Sequence, residues 1–265
     1  MKINKDYSIG ELLACVIARE LEDNDTVAFG LHAEFSLAAS FLAQKLYSPN
    51  LKIRHGLNAN NGVELNPAAW TSNVNSKSQP TPQYIERHDS ILSIANPNNS
   101  NKLCDTFFIS GLQIDKFGNT NLIGIKGVNK KFKLRGPGSI GTTSIAQLAK
   151  KYFIFSLEHT TRRFVESVDY VSTIGYNIRK KYGLSGGPLL CVTPLCIFDF
   201  QDGMMRIKSI DPHSSLQEVI IKTGFKPIVP KNIETTKEPS SEELKVLRNI
   251  DKKGFLKEID NDIIV

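Results

Sequence analysis

The stretch Ile109-Ser110-Gly111-Leu112-Gln113-Ile114-Asp115-Lys116-Phe117-Gly118-Asn119-Thr120-Asn121, followed a short way on by Arg135-Gly136-Pro137-Gly138-Ser139-Ile140-Gly141-Thr142-Thr143, carries the fold. The apolar run Thr106–Ile109 predicts a buried strand that ends at Gly111. A polar loop with Gln113, Asp115, Asn119 and Asn121 then surrounds Gly118-Asn119, two residues that tolerate positive φ and so signal a turn. Such a loop is either a turn satisfied by its own Asx hydrogen bonds or a ligand loop at a strand's carboxyl end. In the second stretch, Gly136, Gly138 and Gly141 precede a segment, Ser144–Lys150, that can be helical. Backbone amides at such a start can hold an anion or an oxyanion. A dinucleotide loop is disfavoured, because Lys130–Leu134 before it is charged rather than a buried strand.

Outward from this centre, strands and helices alternate. Ser8 and Glu11 form a capping box for a helix running to about Leu21. Thr26–Phe29 predicts a strand ending at Gly30, Ser36–Leu46 a helix, and Leu51–Ile53 a strand leading into Arg54-His55-Gly56. On the far side, Tyr152–Ser156 and Tyr170–Ile174 have strand length, with the charged turn Glu158–Arg163 between them. Cys191–Phe200 and Met204–Ile210 flank Asp202-Gly203, a hairpin signal, and Ser240 to Glu243 caps a last helix. The pattern predicts an α/β fold: an open, mostly parallel sheet with a late antiparallel hairpin, in one domain over residues 1–265. A divergent polar segment, 66–103, interrupts it as a functional loop or a surface excursion.

Bulk properties exclude several function classes. The net charge of +6 comes with short basic clusters such as Lys130-Lys131 and Arg179-Lys180-Lys181 but no nucleic-acid-binding module. The longest apolar stretch, Leu189–Phe198, is broken by Thr193 and Pro194 and is too short to span a bilayer. Cys15, Cys104, Cys191 and Cys196 show no paired metal-ligand spacing and read as buried, reduced thiols. A soluble cytoplasmic protein follows, with no nucleic acid, no membrane and no metal.

The two quoted stretches, in this order, resemble the β subunits of family I CoA-transferases, glutaconate CoA-transferases in particular. The resemblance rests on Gln113-Ile114-Asp115, Phe117-Gly118-Asn119 and Asn121, then Gly136 to Gly141. It continues in Arg162-Arg163-Phe164-Val165, Val168-Asp169-Tyr170-Val171 and Thr223-Gly224-Phe225, and covers nearly the whole chain except 66–103. It implies the CoA-transferase fold, a separately encoded α-type partner in an α2β2 assembly, and an active site between the two. Coenzyme A thioester would be the substrate, with no tightly bound cofactor. Gly30, Gly111, Gln113, Asp115, Gly118, Asn119, Gly136, Gly138 and Gly141 would face it.

In that family a β-subunit glutamate attacks the acyl-CoA. The matching position here is Arg54, followed by His55, so no carboxylate stands there. Glu34 is a possible substitute; as a bland reading it is a helix-start charge. Glu64 matches a family glutamate without a catalytic role. His55 could serve as a general base or simply fill a pocket, and His159 could contact CoA phosphates or lie on a charged surface turn. Three functions follow: a CoA-transferase subunit with a relocated nucleophile, an acyl-CoA or ring-opening C–C hydrolase subunit resembling those of steroid degradation, with the carboxylate in the α partner, or a non-catalytic acyl-CoA-binding subunit.

Overall fold

The computed structural model describes residues 6–29, 34–55, 58–60, 104–139 and 141–265. Gly30, the Gly56-Leu57 pair, Glu64 and the polar segment 66–103 lie outside the described residues. The chain forms two compact units, residues 1–106 with 237–263 and residues 107–236 with 264–265.

The first unit holds helices α1 (Ile9–Ala18) and α2 (Glu34–Leu46), two later helices (Ser241–Ile250 and Phe255–Glu258), and strands β1 (Thr26–Ala28), β2 (Lys52–His55) and β3 (Asn58–Asn60). β1 and β2 run parallel with Ala28 beside Arg54, and β2 pairs antiparallel with β3. α1 is buried from Gly10 to Ala18, and a Cβ on Gly10 would lie 2.2 Å from the Leu256 carbonyl oxygen. The capping box read at Ser8/Glu11 is present, and the cap expected over Ser240 to Glu243 is a second capping box, Ser240/Glu243. Their glutamates do more than cap. Glu11 receives Arg248 Nε at 2.7 Å, and Glu243 receives Arg19 Nε and Nη2, each at 2.7 Å. Each helix thus sends an arginine from its C-terminal end to the N-terminal glutamate of the other, which suits antiparallel helices and their dipoles.

The second unit carries the strand order β14-β13-β12-β11-β9-β4: β4 (Thr106–Ile109), β9 (Lys151–Phe155), β11 (Gly187–Val192), β12 (Cys196–Gln201), β13 (Met204–Ile210) and β14 (Glu234–Thr235). β9 and β11 are parallel, while β12 and β13 form the expected late hairpin, with Asp202 (φ 52°) and Gly203 (φ 78°) at its turn. Two small sheets accompany them: β10-β5-β6, from β5 (Gln113–Asp115), β6 (Thr120–Asn121) and β10 (Phe164–Val165), and the pair β7 (Gly124–Lys126) and β8 (Phe132–Arg135). Tyr152, Phe153, Ile154, Phe164 and Phe198 are fully buried. The chain is therefore α/β with an open sheet, as expected. Tyr170–Ile174 is not a strand, however: its one ladder contact is the bridge Thr173–Thr120, and Ser172 Oγ accepts from Leu122 N at 2.8 Å instead. The four cysteines are free and buried. Among the described residues, no helix is long and apolar enough to cross a membrane.

Burial opposes ionisation of Glu243, yet hydrogen bonds from Arg19, Tyr47 and Ser240 hold its carboxyl down at about 2. A depressed carboxylate stabilises the fold above its unfolded value, near 4.5, and that contribution fades as pH falls toward 2. Replacing Glu243 by Gln should cost about 3 kcal/mol at neutral pH, because Arg19 loses its partner. In urea titrations from pH 7 downward, the deficit against the unaltered protein should shrink below pH 4.5. A deficit constant across that range would rule this account out.

Candidate active-site loops

β4 is buried along its length and delivers the chain to Gly111, where a Cβ would sit 2.9 Å from the Gln113 carbonyl oxygen. β5 then pairs antiparallel with β6 and parallel with β10. Asp115 Oδ1 accepts from the backbone N–H of Phe117 (3.0 Å) and Asn119 (3.1 Å). Asn119 Nδ2 donates to both Asp115 oxygens (3.1 and 2.9 Å) and to Asn177 Oδ1 (3.0 Å), while Asn119 Oδ1 accepts from Gly175 N at 2.7 Å. Burial pushes the Asp115 carboxyl up, and these donors oppose it. Gly118 takes φ 79°, and a Cβ there would press on Pro188 at 2.7 Å.

Gln113 is bound in the same way. Its Oε1 accepts from Asn121 Nδ2 (2.7 Å) and Asp169 N (2.9 Å), and its Nε2 donates to Asp169 Oδ2 at 3.2 Å. Of the two readings of this loop, the self-satisfied turn describes what its buried side chains do: Gln113, Asp115, Asn119 and Asn121 frame the loop with one another. Beside it opens a cavity of about 320 Å³, bordered by Lys116, Phe117, Glu166 and Val168, with Lys116 paired to Glu166.

The glycines of the second stretch differ from one another. Gly136 N donates to Ile123 O at 2.8 Å, and a Cβ there would lie 2.2 Å from Leu122 O, so packing alone requires glycine. Gly138 takes φ 88° with nothing within 4 Å of its would-be Cβ, leaving open space. Gly141 precedes the helix Thr142–Leu148, whose start has no side-chain cap.

Three further polar residues of this unit are buried, and none is evident from sequence. Glu158 is 4% exposed. Burial would raise its carboxyl, but hydrogen bonds from Arg162 and Thr160, with the Arg163 charge, hold it below the ordinary carboxylate range. Arg163 donates to Glu158 Oε2 at 2.8 Å and to the Gly111 carbonyl. His159, expected on a charged surface turn or at CoA phosphates, is instead fully buried. It is bonded to Thr193 Oγ1 (2.7 Å) and Thr223 Oγ1 (3.0 Å), with the Phe164 ring centroid 4.5 Å away. Burial, then the Lys222 charge, pushes it down to about 3, so it stays neutral. Arg179, from one of the short basic clusters, is 1% exposed and donates to the Ser185 and Ala146 carbonyls.

The remaining predicted residues belong to the first unit. Arg54 and His55 are the last two residues of β2, with backbones paired to Ala59 and Asn58. Glu34 is the first residue of α2, half-buried, which fits its helix-start reading. Among the described residues no group of three or more His, Cys, Asp or Glu could hold a metal ion.

The family profile described as Coenzyme A transferase matches residues 11–220. The β-type chain of 3-oxoadipate CoA-transferase from Pseudomonas knackmussii is 32% identical over 154 residues, 56% of this chain and 58% of that protein, so the match spans a little over half of the relative's length. The β-type chain of glutaconate CoA-transferase from Acidaminococcus fermentans is 28% identical over 251 residues, 86% of this chain and 87% of that one. The crystal structure of the Acidaminococcus glutaconate enzyme superposes with a TM-score of 0.77 at 26% identity, covering 95% of this chain and 98% of the other. The decarboxylase AibA/AibB shares the fold at a TM-score of 0.79 and 19% identity, over 96% of this chain and 99% of that one.

Replacing Asn119 by Ala removes the donor to both Asp115 oxygens and the acceptor for Gly175 N. A loss of about 2–3 kcal/mol in chemical denaturation is expected, as for a buried network left half-satisfied. Unchanged stability would mean that the loop is held by something else.

Proposed function

The chain is a β-type subunit of the coenzyme A transferase family, and on that premise we propose that it handles an acyl-CoA thioester jointly with an α-type partner, in an α2β2 assembly, without itself supplying the attacking carboxylate. What supports this reading is the sequence at the end of β2, where Arg54-His55 falls at the position that the resemblance gives to the family glutamate. A guanidinium stays protonated at every working pH and cannot attack a thioester as a carboxylate does. On this reading the carboxylate comes from the partner. His55 is the chain's own candidate general base, for water or for an α-proton.

The loops supply the rest. Gly111, Gln113, Asp115, Gly118 and Asn119 set the shape of the first loop, and Gly136 anchors the second. Gly138, open on its Cα side, lets a ligand approach the backbone amides that lead to Gly141. Coenzyme A thioester enters as substrate; the chemistry asks for no resident cofactor and no metal. The shared fold of a protein described as a decarboxylase supports a scaffold open to reactions other than transfer.

A relocated nucleophile is the second reading, favoured by Glu34. It opens α2 just after β1, whose Ala28 is in register with Arg54, and it is half-buried. One experiment separates the two. The chain is co-purified with a candidate α-type chain of the same family, incubated with a panel of acyl-CoAs, reduced with borohydride and weighed intact. Consumption of thioester only when both chains are present, with the mass of this chain unchanged, is expected. A loss of about 14 Da on this chain, the carboxyl-to-alcohol change of a reduced glutamyl thioester, would overturn it in favour of Glu34.

A further inference from the structure

Charge is distributed unevenly along this chain. From Lys116 to Leu157 there are 8 Lys and Arg and no Asp or Glu, so against a total of +6 the remaining residues sum to −2. Much of that charge sits on the hairpin of β7 and β8. Its register is Gly124 to Arg135 and Ile125 to Leu134, with a bulge before Lys126 and a one-turn helix, Val128–Lys130, at the tip.

The root of the hairpin is well fixed. Lys126 N donates to Asp169 Oδ2 at 2.9 Å, and Asn121 Nδ2 donates to Gly124 O at 2.8 Å. Gly124 takes φ 156°, and a Cβ there would strike the Leu134 carbonyl at 2.6 Å. Beyond the root the arm stays largely exposed, with Phe132 against Tyr170. An antiparallel pair usually packs one face on its own core, yet all four residues of β8, Phe132 to Arg135, are exposed. Val128 at the tip is 81% exposed, Leu134 48% and Phe132 42%. Cations and rings alternate along the same arm: Lys126 Nζ lies 5.2 Å from the Tyr170 ring, Tyr170 5.6 Å from Phe132, and the Arg135 guanidinium 5.2 Å from Phe132.

We infer that this hairpin is a docking arm that seats on an acidic, apolar-centred surface of the α-type partner. The inference rests on the two-chain reading above. Two-stranded ribbons without further packing are marginal in water, and exposed apolar residues mixed with aromatics and arginine mark protein interfaces. Charge selects the occupant. A second copy offering the same arm would bring cations against cations, which costs several kcal/mol at an interface. A small polyphosphate would meet the cations but leave Val128, Phe132 and Leu134 in water. An acidic protein surface with an apolar centre answers both.

Hydrogen exchange on the full chain, with and without a candidate α-type chain of the same family, tests the assignment. Amides of residues 124–135 should be protected in the complex. Two paired variants, Val128→Asp with Phe132→Ser and Lys131→Glu with Lys133→Glu, should each weaken the complex by about ten-fold or more, and the second should flatten its salt dependence. The melting temperature of the isolated chain should hold in both, since these side chains are outside the core. A complex of unaltered affinity with 124–135 unprotected would overturn the docking arm and leave the two-chain reading standing; the absence of any complex would remove both. Equal protection by coenzyme A alone would reassign the arm to phosphate binding and overturn the inference.

Discussion

A carboxylate taken out of water has to be met by donors, and the way Asp115 meets that demand organises the second unit. Its oxygens gather the N–H groups of Phe117 and Asn119 and the Asn119 amide, and Asn119 passes the constraint on to Gly175 and Asn177. A Cβ on Gly175 would lie 2.1 Å from the Phe117 carbonyl, so the two loops close without any side chain between them. The helix Tyr176–Lys181 starts there and presents Arg179, whose guanidinium reaches the Ala146 carbonyl of the helix that begins at Gly141. One chain of contacts therefore runs from the Gln113–Asn121 loop to the glycine-rich loop. The two stretches that mark the family in sequence are mechanically coupled in the fold.

What was legible in the sequence is what depends on near neighbours. The capping boxes at Ser8 and Ser240 and the Asp202-Gly203 turn are decided within a few residues, and each is present. Sequence spacing is silent on partners that arrive from elsewhere. Glu158, His159 and Arg179 all look like surface charge, yet each is buried: His159 and Arg179 meet partners from other segments, Thr193 with Thr223 and Ala146, while Glu158 is met by its neighbours Thr160, Arg162 and Arg163. Tyr170–Ile174 misleads for the same reason. Its apolar content suits a strand, but Ser172 and Thr173 are spent on Thr120 and Leu122, and no ladder forms.

The loop residues show a different limit. Gln, Asp and Asn at turn positions look alike whether they wait for a ligand or bond to one another, because the donor and acceptor inventory is the same in both cases. Only the direction of each hydrogen bond tells them apart, and here Gln113, Asp115, Asn119 and Asn121 face inward. The glycines separate in a comparable way. Gly136 is demanded by Leu122, whereas Gly138 is demanded by its own backbone angle beside open space. A pattern of three glycines thus contains a packing position and a position free to meet a ligand.

On the proposed reading, the strand end at Arg54-His55 reflects work shared between two chains. In parallel pairing β1 and β2 deliver their C-terminal ends side by side, Ala28 beside Arg54, which is where open α/β sheets collect ligands. A carboxylate at such an end attacks; a guanidinium there attracts. On the proposed reading, this subunit has exchanged a nucleophile for a cation while keeping the scaffold of its family. The cation would favour an anion brought to it, whether the substrate's own carboxylate or one from the partner, and would stabilise the negative charge that builds on a thioester oxygen as it is attacked. Catalysis by the isolated chain would then lack its reactive group however well its loops are formed. The reaction would begin only where the second chain completes the site.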